Sequence, residues 1–421
     1  MSISRRAFLQ ASALSCGSTT FLWPEATQIC QAAESPLEKI RLGCIGFGGQ
    51  GLHHLGILSK NVVALCDVDS GHLKVAQSRM EKANVKCTAY GDYRKLLDNK
   101  DVDAVVVCTP DHWHARITVD ACDAGKHVYC EKPLTLTVAE GRAIVNAARR
   151  SKRIVQTGSQ QRSAGNFRLA CELVQSGYLG KLKAVKVGIP GPNFKGPAVA
   201  DSPAPKELDY DFWLGPAPQR PFNSKRVHYL FRFFWDYSGG QMTNWGAHHL
   251  DIAQWGLGMD NSGPVSIEGT ATFHPQKWFE TPVQQEIVYT YANGVILTCS
   301  MTEKGGTTFL GEKGFIRVNR GVFETDLPGI TTKTKLKDSD IHLYVSTNHH
   351  TNWFDCIRSG KLPVCDAEVG HRSATVCHLG NISCRLGRKI NWDPMNETIS
   401  NDKEAAAMLS RPYREPWKSP T

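Results

Sequence analysis

Gly46-Phe47-Gly48-Gly49-Gln50-Gly51 limits what this chain can fold into more than any other segment. The G-x-G-x-x-G spacing carries little alone. Here it follows the apolar run Ile40–Ile45 and opens a helical pattern through Leu58. A second apolar run, Asn61 to Cys66, comes next and ends in Asp67, 21 residues after Gly46. Strand, glycine turn, helix and a strand closing on a carboxylate form the context of a dinucleotide-binding βαβ unit. The first glycine makes the tight turn, the second admits a pyrophosphate to backbone N–H groups at a helix start, and the third lets helix and strand pack closely. The six residues Gly46, Phe47, Gly48, Gly49, Gln50 and Gly51 are therefore expected to hold the cofactor. Asp67 sits where a carboxylate accepts from both ribose hydroxyls. A 2′-phosphate there meets like charge, so NAD is expected over NADP.

The alternation continues. Val102–Cys108 reads as a strand buried on both faces, His127–Cys130 as a short strand, and Val138–Arg150 as a helix. Strands alternating with helices predict a doubly wound parallel sheet. After about Gly158 the pattern changes. A helix over Phe167–Ser176 is followed by strand-like runs at Lys183–Ile189, Val265–Phe273, Gln285–Tyr291 and Val295–Met301. Ala292-Asn293-Gly294 reads as a hairpin turn between the last two. The fold class expected is an α/β Rossmann domain, 34–157, followed by an α+β domain, 158–421, with a large, mostly antiparallel open sheet. The Pro- and Gly-rich stretch Pro190–Pro221 reads as a long loop, a length usually tied to function.

Residues 1–33 are read separately. Ser4-Arg5-Arg6-Ala7-Phe8-Leu9, an apolar stretch to Trp23 and small residues at Ala32 and Ala33 resemble a twin-arginine export signal. A periplasmic or otherwise exported location is expected from it. Such export carries proteins already folded in the cytoplasm, which fits 14 cysteines placed largely as small hydrophobes, with no C-x-x-C pair.

Bulk properties exclude other classes. With 41% hydrophobic and 21% charged residues, the chain can bury a core and is not expected to be disordered. The net charge of +9 is scattered rather than gathered into a stripe, so no nucleic-acid partner is expected. No apolar run reaches the ~20 residues of a membrane helix.

Two further segments fall at carboxyl ends of strands, where open α/β sheets bind ligands: Thr109-Pro110-Asp111-His112-Trp113-His114 and Glu131-Lys132-Pro133. With the glycine fingerprint, and with Asp211–Pro216 and Cys356–Lys361, they make the chain resemble the glucose-fructose oxidoreductase/inositol dehydrogenase (Gfo/Idh/MocA) family from about Lys39 onward. The resemblance implies an NAD-dependent oxidoreductase acting on a secondary alcohol of a sugar, cyclitol or sugar derivative; because the nucleotide is scarce outside the cytoplasm, the export signal adds the expectation that the cofactor is retained. It adds Thr109, Pro110, His114, Glu131, Lys132 and Gln160 to the cofactor residues. Lys132 and His248 are implied as the catalytic pair. A free lysine, near pKa 10.4, is a poor base at neutral pH, but burial beside a positive nicotinamide lowers that value. Where the family often has Asp-x-x-x-His, this chain has Asn244 and His248, and an amide cannot share a proton as a carboxylate does. Asn244 then orients the substrate or caps a helix.

The expected substrate residues are Lys132, Arg162, Asn244, His248 and His249, the partner a small carbohydrate, and the assembly a homo-dimer or homo-tetramer. His112, His114, His248, His249 and Asp251 match no metal-ligand spacing, and no metal is expected. His349 and His350 are read as cleft or loop residues. Two rival readings are a redox-neutral NAD-dependent glycosidase and a nucleotide-binding sensor without turnover.

Overall fold

The computed structural model describes residues 39–420 except Lys195. The Arg5-Arg6 motif lies outside the described residues.

The first sheet has six parallel strands: β1 (Leu42–Ile45), β2 (Val62–Cys66), β3 (Thr88–Tyr90), β4 (Ala104–Val107), β5 (His127–Cys130) and β6 (Val155–Thr157). Their order is β3-β2-β1-β4-β5-β6, the doubly wound arrangement. Every residue of β1 and β4 is buried, because helices cover both faces. The order reverses between β1 and β4, and the loops leaving their carboxyl ends part there. Gly46 and Cys108 begin those loops. The strand expected over Val102–Cys108 is shorter, and Cys108 lies past its end as a cleft residue.

The second sheet has nine strands: β7 (Leu182–Gly188), β8 (Ser266–Thr272), β9 (Gln284–Thr290), β10 (Ile296–Ser300), β11 (Gly306–Gly311), β12 (Phe315–Asn319), β13 (Val322–Thr325), β14 (Ile390–Asp393) and β15 (Thr398–Ile399). The order is β13-β12-β11-β7-β10-β9-β8-β14-β15, and only β7 and β10 pair in parallel. The β9–β10 hairpin forms as expected, with Gly294 at φ +83 in its turn. Side chains alternate across this sheet. Val185, Ile287, Tyr289 and Leu297 face a core closed by the helices Gly165–Gln175, Ala247–Gly256 and Ala367–Leu386. Lys186, Glu268 and Glu286 stand exposed on the other face.

The stretch expected as a long loop contains the short helix Tyr210–Leu214. Trp213 packs with Phe233, Tyr237 and Phe279 in a separate aromatic cluster. Burying each such ring stabilises by about 1.5–3 kcal/mol, so the loop is anchored rather than loose. It also joins the nucleotide domain. Asp209 N donates to Val68 O at 3.0 Å, and Ser70 N donates to Glu207 O at 2.8 Å. Among the described residues no helix is long and apolar enough to cross a membrane.

Candidate functional site

A cavity of about 1180 Å³ opens at the β1/β4 reversal and runs between the two sheets. Its inner end is the glycine turn. Gly46 has φ +90, and a Cβ there would stand 2.8 Å from Cys108 O. An added Cβ at Gly51 would run into the carbonyl of Gly46, so this glycine serves packing. Gly48 and Gly49 differ: a Cβ on either meets no atom within 4 Å, because both face the open cleft. Gly48 precedes the helix Gly49–Leu58 with no side-chain cap, which leaves the first N–H groups free for an anion. Asp67 Oδ2 accepts from Phe47 N at 2.7 Å and Oδ1 from Asp69 N at 2.9 Å, fixing the carboxylate at the cleft wall. Space at Gly48 and Gly49, uncapped N–H groups and a placed carboxylate together fit NAD. On protein stripped of nucleotide, calorimetry is expected to give NAD about tenfold or more tighter binding than NADP, since Asp67 repels a 2′-phosphate. Tighter NADP binding would overturn this account of Asp67.

Midway along the cleft Glu131 is a buried hub. It accepts from His54 Nε2 at 2.7 Å, Gln160 Nε2 at 2.9 Å, Gln50 Nε2 at 3.2 Å and Lys132 N at 3.2 Å. Burial alone would raise its pKa, but His54, Lys132 and Gln160 outweigh burial and bring it down to about 2. With the His54 proton on Nε2, its Nδ1 accepts from His350 Nε2 at 2.8 Å. His54 was not expected as a site residue, whereas His350 was read as a cleft or loop residue and proves to line the cleft. The one local signal was the position of His54 four residues after Gln50, on the same helical face. His350 lines the cleft, whereas His349 is buried behind it, bonded to Thr157 O at 2.9 Å and Ser163 Oγ at 2.7 Å.

Lys132 stands next to this hub. Its peptide bond to Pro133 is cis. Lys132 Nζ donates to Asn244 O at 2.9 Å and to Asn244 Oδ1 at 3.0 Å. Asn244 is not a helix cap. It lies inside the π-helical turn Met242–Gly246 that runs into the helix Ala247–Gly256, and its amide donates to Gln241 Oε1 at 2.9 Å. His248 follows one turn later and faces the cleft, and among the described residues its Nδ1 has no hydrogen-bond partner. Burial, then Lys132 and Arg320, push the His248 imidazole well below its ordinary pKa, so it is neutral at pH 7. Burial is also the main cause lowering the Lys132 ammonium, with Glu131 and Asp111 opposing.

Behind Lys132, both ring nitrogens of His114 face carbonyls, Pro133 O at 2.8 Å and Thr109 O at 2.9 Å. Only imidazolium donates from both nitrogens. Burial opposes the charge, but Cys130, Asp111 and the Pro133 carbonyl push His114 up to about 10. His114 is thus a cation that pins the Lys132-Pro133 segment.

Two expected substrate residues lie elsewhere. Arg162 is buried away from the cleft, its guanidinium held by Asp251 and Asp260. His249 points behind the helix, stacked on Trp245 at 5.8 Å, and does not line the cavity. Consecutive helical residues point about 100° apart, so His248 and His249 cannot both face the cleft. Asp251 is committed to Arg162, and His112 Nε2 to Trp213 O at 2.9 Å. The remaining wall comes from the second domain: Tyr229, Phe231, Arg232, Trp245 and Arg320. None of these was expected from the sequence.

Fold and cleft define a class: a dinucleotide-binding protein whose doubly wound domain is backed by an open-sheet domain that completes the cleft. Residues 40–159 match the description "Oxidoreductase family, NAD-binding Rossmann fold", and residues 169–419 match "Oxidoreductase family, C-terminal alpha/beta domain". The chain belongs to the Gfo/Idh/MocA oxidoreductase family. It is similar to inositol 2-dehydrogenase of Salmonella typhimurium, 30% identical over 185 residues, covering 42% of this chain and 54% of that one. It is also similar to a glycosyl hydrolase family 109 protein of a Shewanella species, 29% identical over 203 residues, covering 43% of this chain and 44% of that one. The chain thus spans about half the length of the curated relatives it matches. Among solved structures, the WlbA dehydrogenase of Bordetella pertussis in complex with NADH and UDP-GlcNAcA superposes with a TM-score of 0.65 at 20% identity, covering 84% of this chain and 99% of that one. At that identity the likeness is one of fold.

Proposed function

We propose that the chain is an NAD-dependent oxidoreductase acting on a secondary alcohol of a sugar, cyclitol or sugar derivative. The observation that carries this reading is that Lys132, its Nζ held by Asn244, and the neutral His248 both line a cleft continuous with the dinucleotide cradle. When bound, NAD supplies the two-electron acceptor for the CH–OH group. Lys132 in its neutral form takes the hydroxyl proton, and Asn244 holds the ammonium that results. The neutral His248 imidazole bonds the same or the adjacent hydroxyl. Gln161, which also lines the cleft, orients a neighbouring one. Similarity to an inositol 2-dehydrogenase supports the reading.

Similarity to a glycosyl hydrolase family 109 protein favours a second reading, a redox-neutral glycosidase on the same site. Product analysis separates the two. Oxidised sugar with matching NADH supports the first; free aglycone with no net NADH supports the second and removes the first.

We further propose that the cofactor is retained, consistent with export of a folded protein through the Arg5-Arg6 signal. The support is a contact that joins the second domain to the turn after Asp67. His228, from the second domain, bonds Asp69 Oδ2 at 3.0 Å and packs on His72 with ring centroids 4.3 Å apart. Protein purified without added nucleotide and then denatured is expected to release near-stoichiometric NAD(H). His228→Ala is expected to release roughly tenfold less after equal washing. Empty wild-type protein would refute retention.

A further inference from the structure

Beyond Lys132 the cleft is walled by two arginines from separate loops. Arg232 lies in the turn Leu230–Phe233, and Arg320 in the turn between β12 and β13. Both line the cavity. Arg232 is half-buried and Arg320 exposed, whereas Arg162 pairs with Asp251, Arg142 with Glu368, and Arg411 with Glu140. Neither Arg232 nor Arg320 has a carboxylate within ion-pair distance among the described residues. What each has is an aromatic support. Arg320 lies over the Trp245 ring at 5.0 Å, and Arg232 over Tyr229 at 3.9 Å and Phe231 at 5.1 Å. Stacking on a ring face fixes the plane of a guanidinium and leaves its charge and its edge N–H donors unspent. Arg320 makes no side-chain hydrogen bond among the described residues, and Arg232 gives one, to Tyr229 O.

The nearby carboxylates do not compensate. Glu131 is filled by His54, Gln50 and Gln160, and Asp111 accepts from Ser238. Both arginines disfavour the Lys132 charge, and Arg320 is carried by Trp245, whose ring packs on His248 with centroids 6.0 Å apart. Both arginines thus line the cleft that also holds Lys132 and the neutral His248. Fixed cations kept apart from carboxylates at the wall of a cleft raise the local concentration of anions and bond planar oxyanions strongly.

We propose that Arg232 and Arg320 form an anion subsite, and that the sugar substrate carries a carboxylate or phosphate group that docks between them. The proposal rests on the sugar-oxidoreductase reading of the same cleft and narrows it to anionic sugars. The oxyanion sits on the arginine edges, and this sets which hydroxyl reaches Lys132 and His248.

The test uses the full chain loaded with NAD. Glucuronate, galacturonate and glucose 6-phosphate are compared with glucose, galactose and myo-inositol by calorimetry and by product analysis. Anionic members are expected to bind about tenfold or more tighter than their neutral counterparts, and this margin is expected to shrink as salt is raised. Uronates alone showing the preference assigns a carboxylate; glucose 6-phosphate alone assigns a phosphate. The double variant Arg232→Gln/Arg320→Gln is expected to abolish the preference while still binding NAD, which reports its folding. Arg320→Lys, which keeps the charge but not the planar fork, is expected to restore part of it. Equal binding of charged and neutral sugars, or a preference that survives the double variant, overturns the subsite. Turnover of sugars without that preference leaves the oxidoreductase reading standing alone. Tight uronate binding with no product keeps the subsite and removes the oxidoreductase reading.

Discussion

Lys132→Met is expected to lower kcat by about 10²–10⁴-fold, the range of a lost general acid–base group, while the protein still binds NAD. Methionine keeps the length and apolar bulk of the lysine stem and removes only the nitrogen that bonds Asn244 O and Oδ1. The cradle of Gly46–Gly51 and Asp67 is built from other elements and stays intact. A group used mainly in the transition state costs rate rather than ground-state binding when removed. The pH profile gives an independent readout. Burial is the largest influence on the Lys132 ammonium, and Arg232 and Arg320 act in the same direction, so it loses its proton below the usual 10.5. Alcohol oxidation needs the neutral amine as proton acceptor. Its kcat/KM is therefore expected to rise with pH, with the midpoint of the limb below 10.5. The reverse reduction needs the ammonium and is expected to fall over the same limb. Lys132→Met should lose both. Near-normal turnover in that variant, measured by product formation, would move the reacting centre elsewhere.

Arg162→Met is expected to destabilise the folded protein by about 3–5 kcal/mol, the cost of breaking a buried ion pair from one side. The Arg162 side chain is 1% exposed and that of Asp251 0%. Arg162 Nε donates to both Asp251 oxygens at 2.9 Å, and its terminal nitrogens reach Asp260 at 2.7 and 2.9 Å. Without the guanidinium, Asp251 keeps only Ser373 Oγ, at 2.6 Å. Burial already raises the pKa of Asp251 with Arg162 present, and removing the arginine raises it further. The variant's folded state then binds the Asp251 proton more tightly than its unfolded state does. Its stability is greatest below the ordinary aspartate pKa and falls as pH rises toward the raised value. The deficit should accordingly be larger at pH 7 than at pH 4. Urea unfolding of wild type, Arg162→Met and Arg162→Met/Asp251→Leu measures it. The double variant is expected to recover part of the loss by removing the stranded charge. An unchanged urea midpoint in the single variant would show that the pair carries no structural load.

These two residues mark how far local pattern reaches. The glycine turn, Asp67 and Glu131-Lys132-Pro133 were legible because each is defined by neighbours along the chain. A fixed spacing puts the glycines at the mouth of a strand, and burial on both faces makes β1 and β4 continuous apolar runs. The strand-like runs after Gly158 and the turn at Ala292-Asn293-Gly294 likewise pointed to a mostly antiparallel sheet. His248 and His249 were harder. Adjacent on one helix, they point in different directions, and nothing in Ala247–Asp251 says which side the nucleotide domain covers.

Tertiary structure alone sorted the arginines. Arg162, next to Gln160 and Gln161, had the better position in sequence, yet it is locked to Asp251 and Asp260, 89 and 98 residues away. Arg232 and Arg320 follow no motif, yet they wall the cleft. The Glu131–His54–His350 chain likewise joins residues 77 and 296 positions apart. The sequence by itself determined the nucleotide cradle and the two kinds of sheet, because backbone turns and strand burial depend on residues within a few positions. Only the folded chain decided which cations are neutralised and which face a ligand. A charge takes its role from whichever partner lies within a few ångströms, and in a two-sheet protein that partner comes from a loop far along the chain.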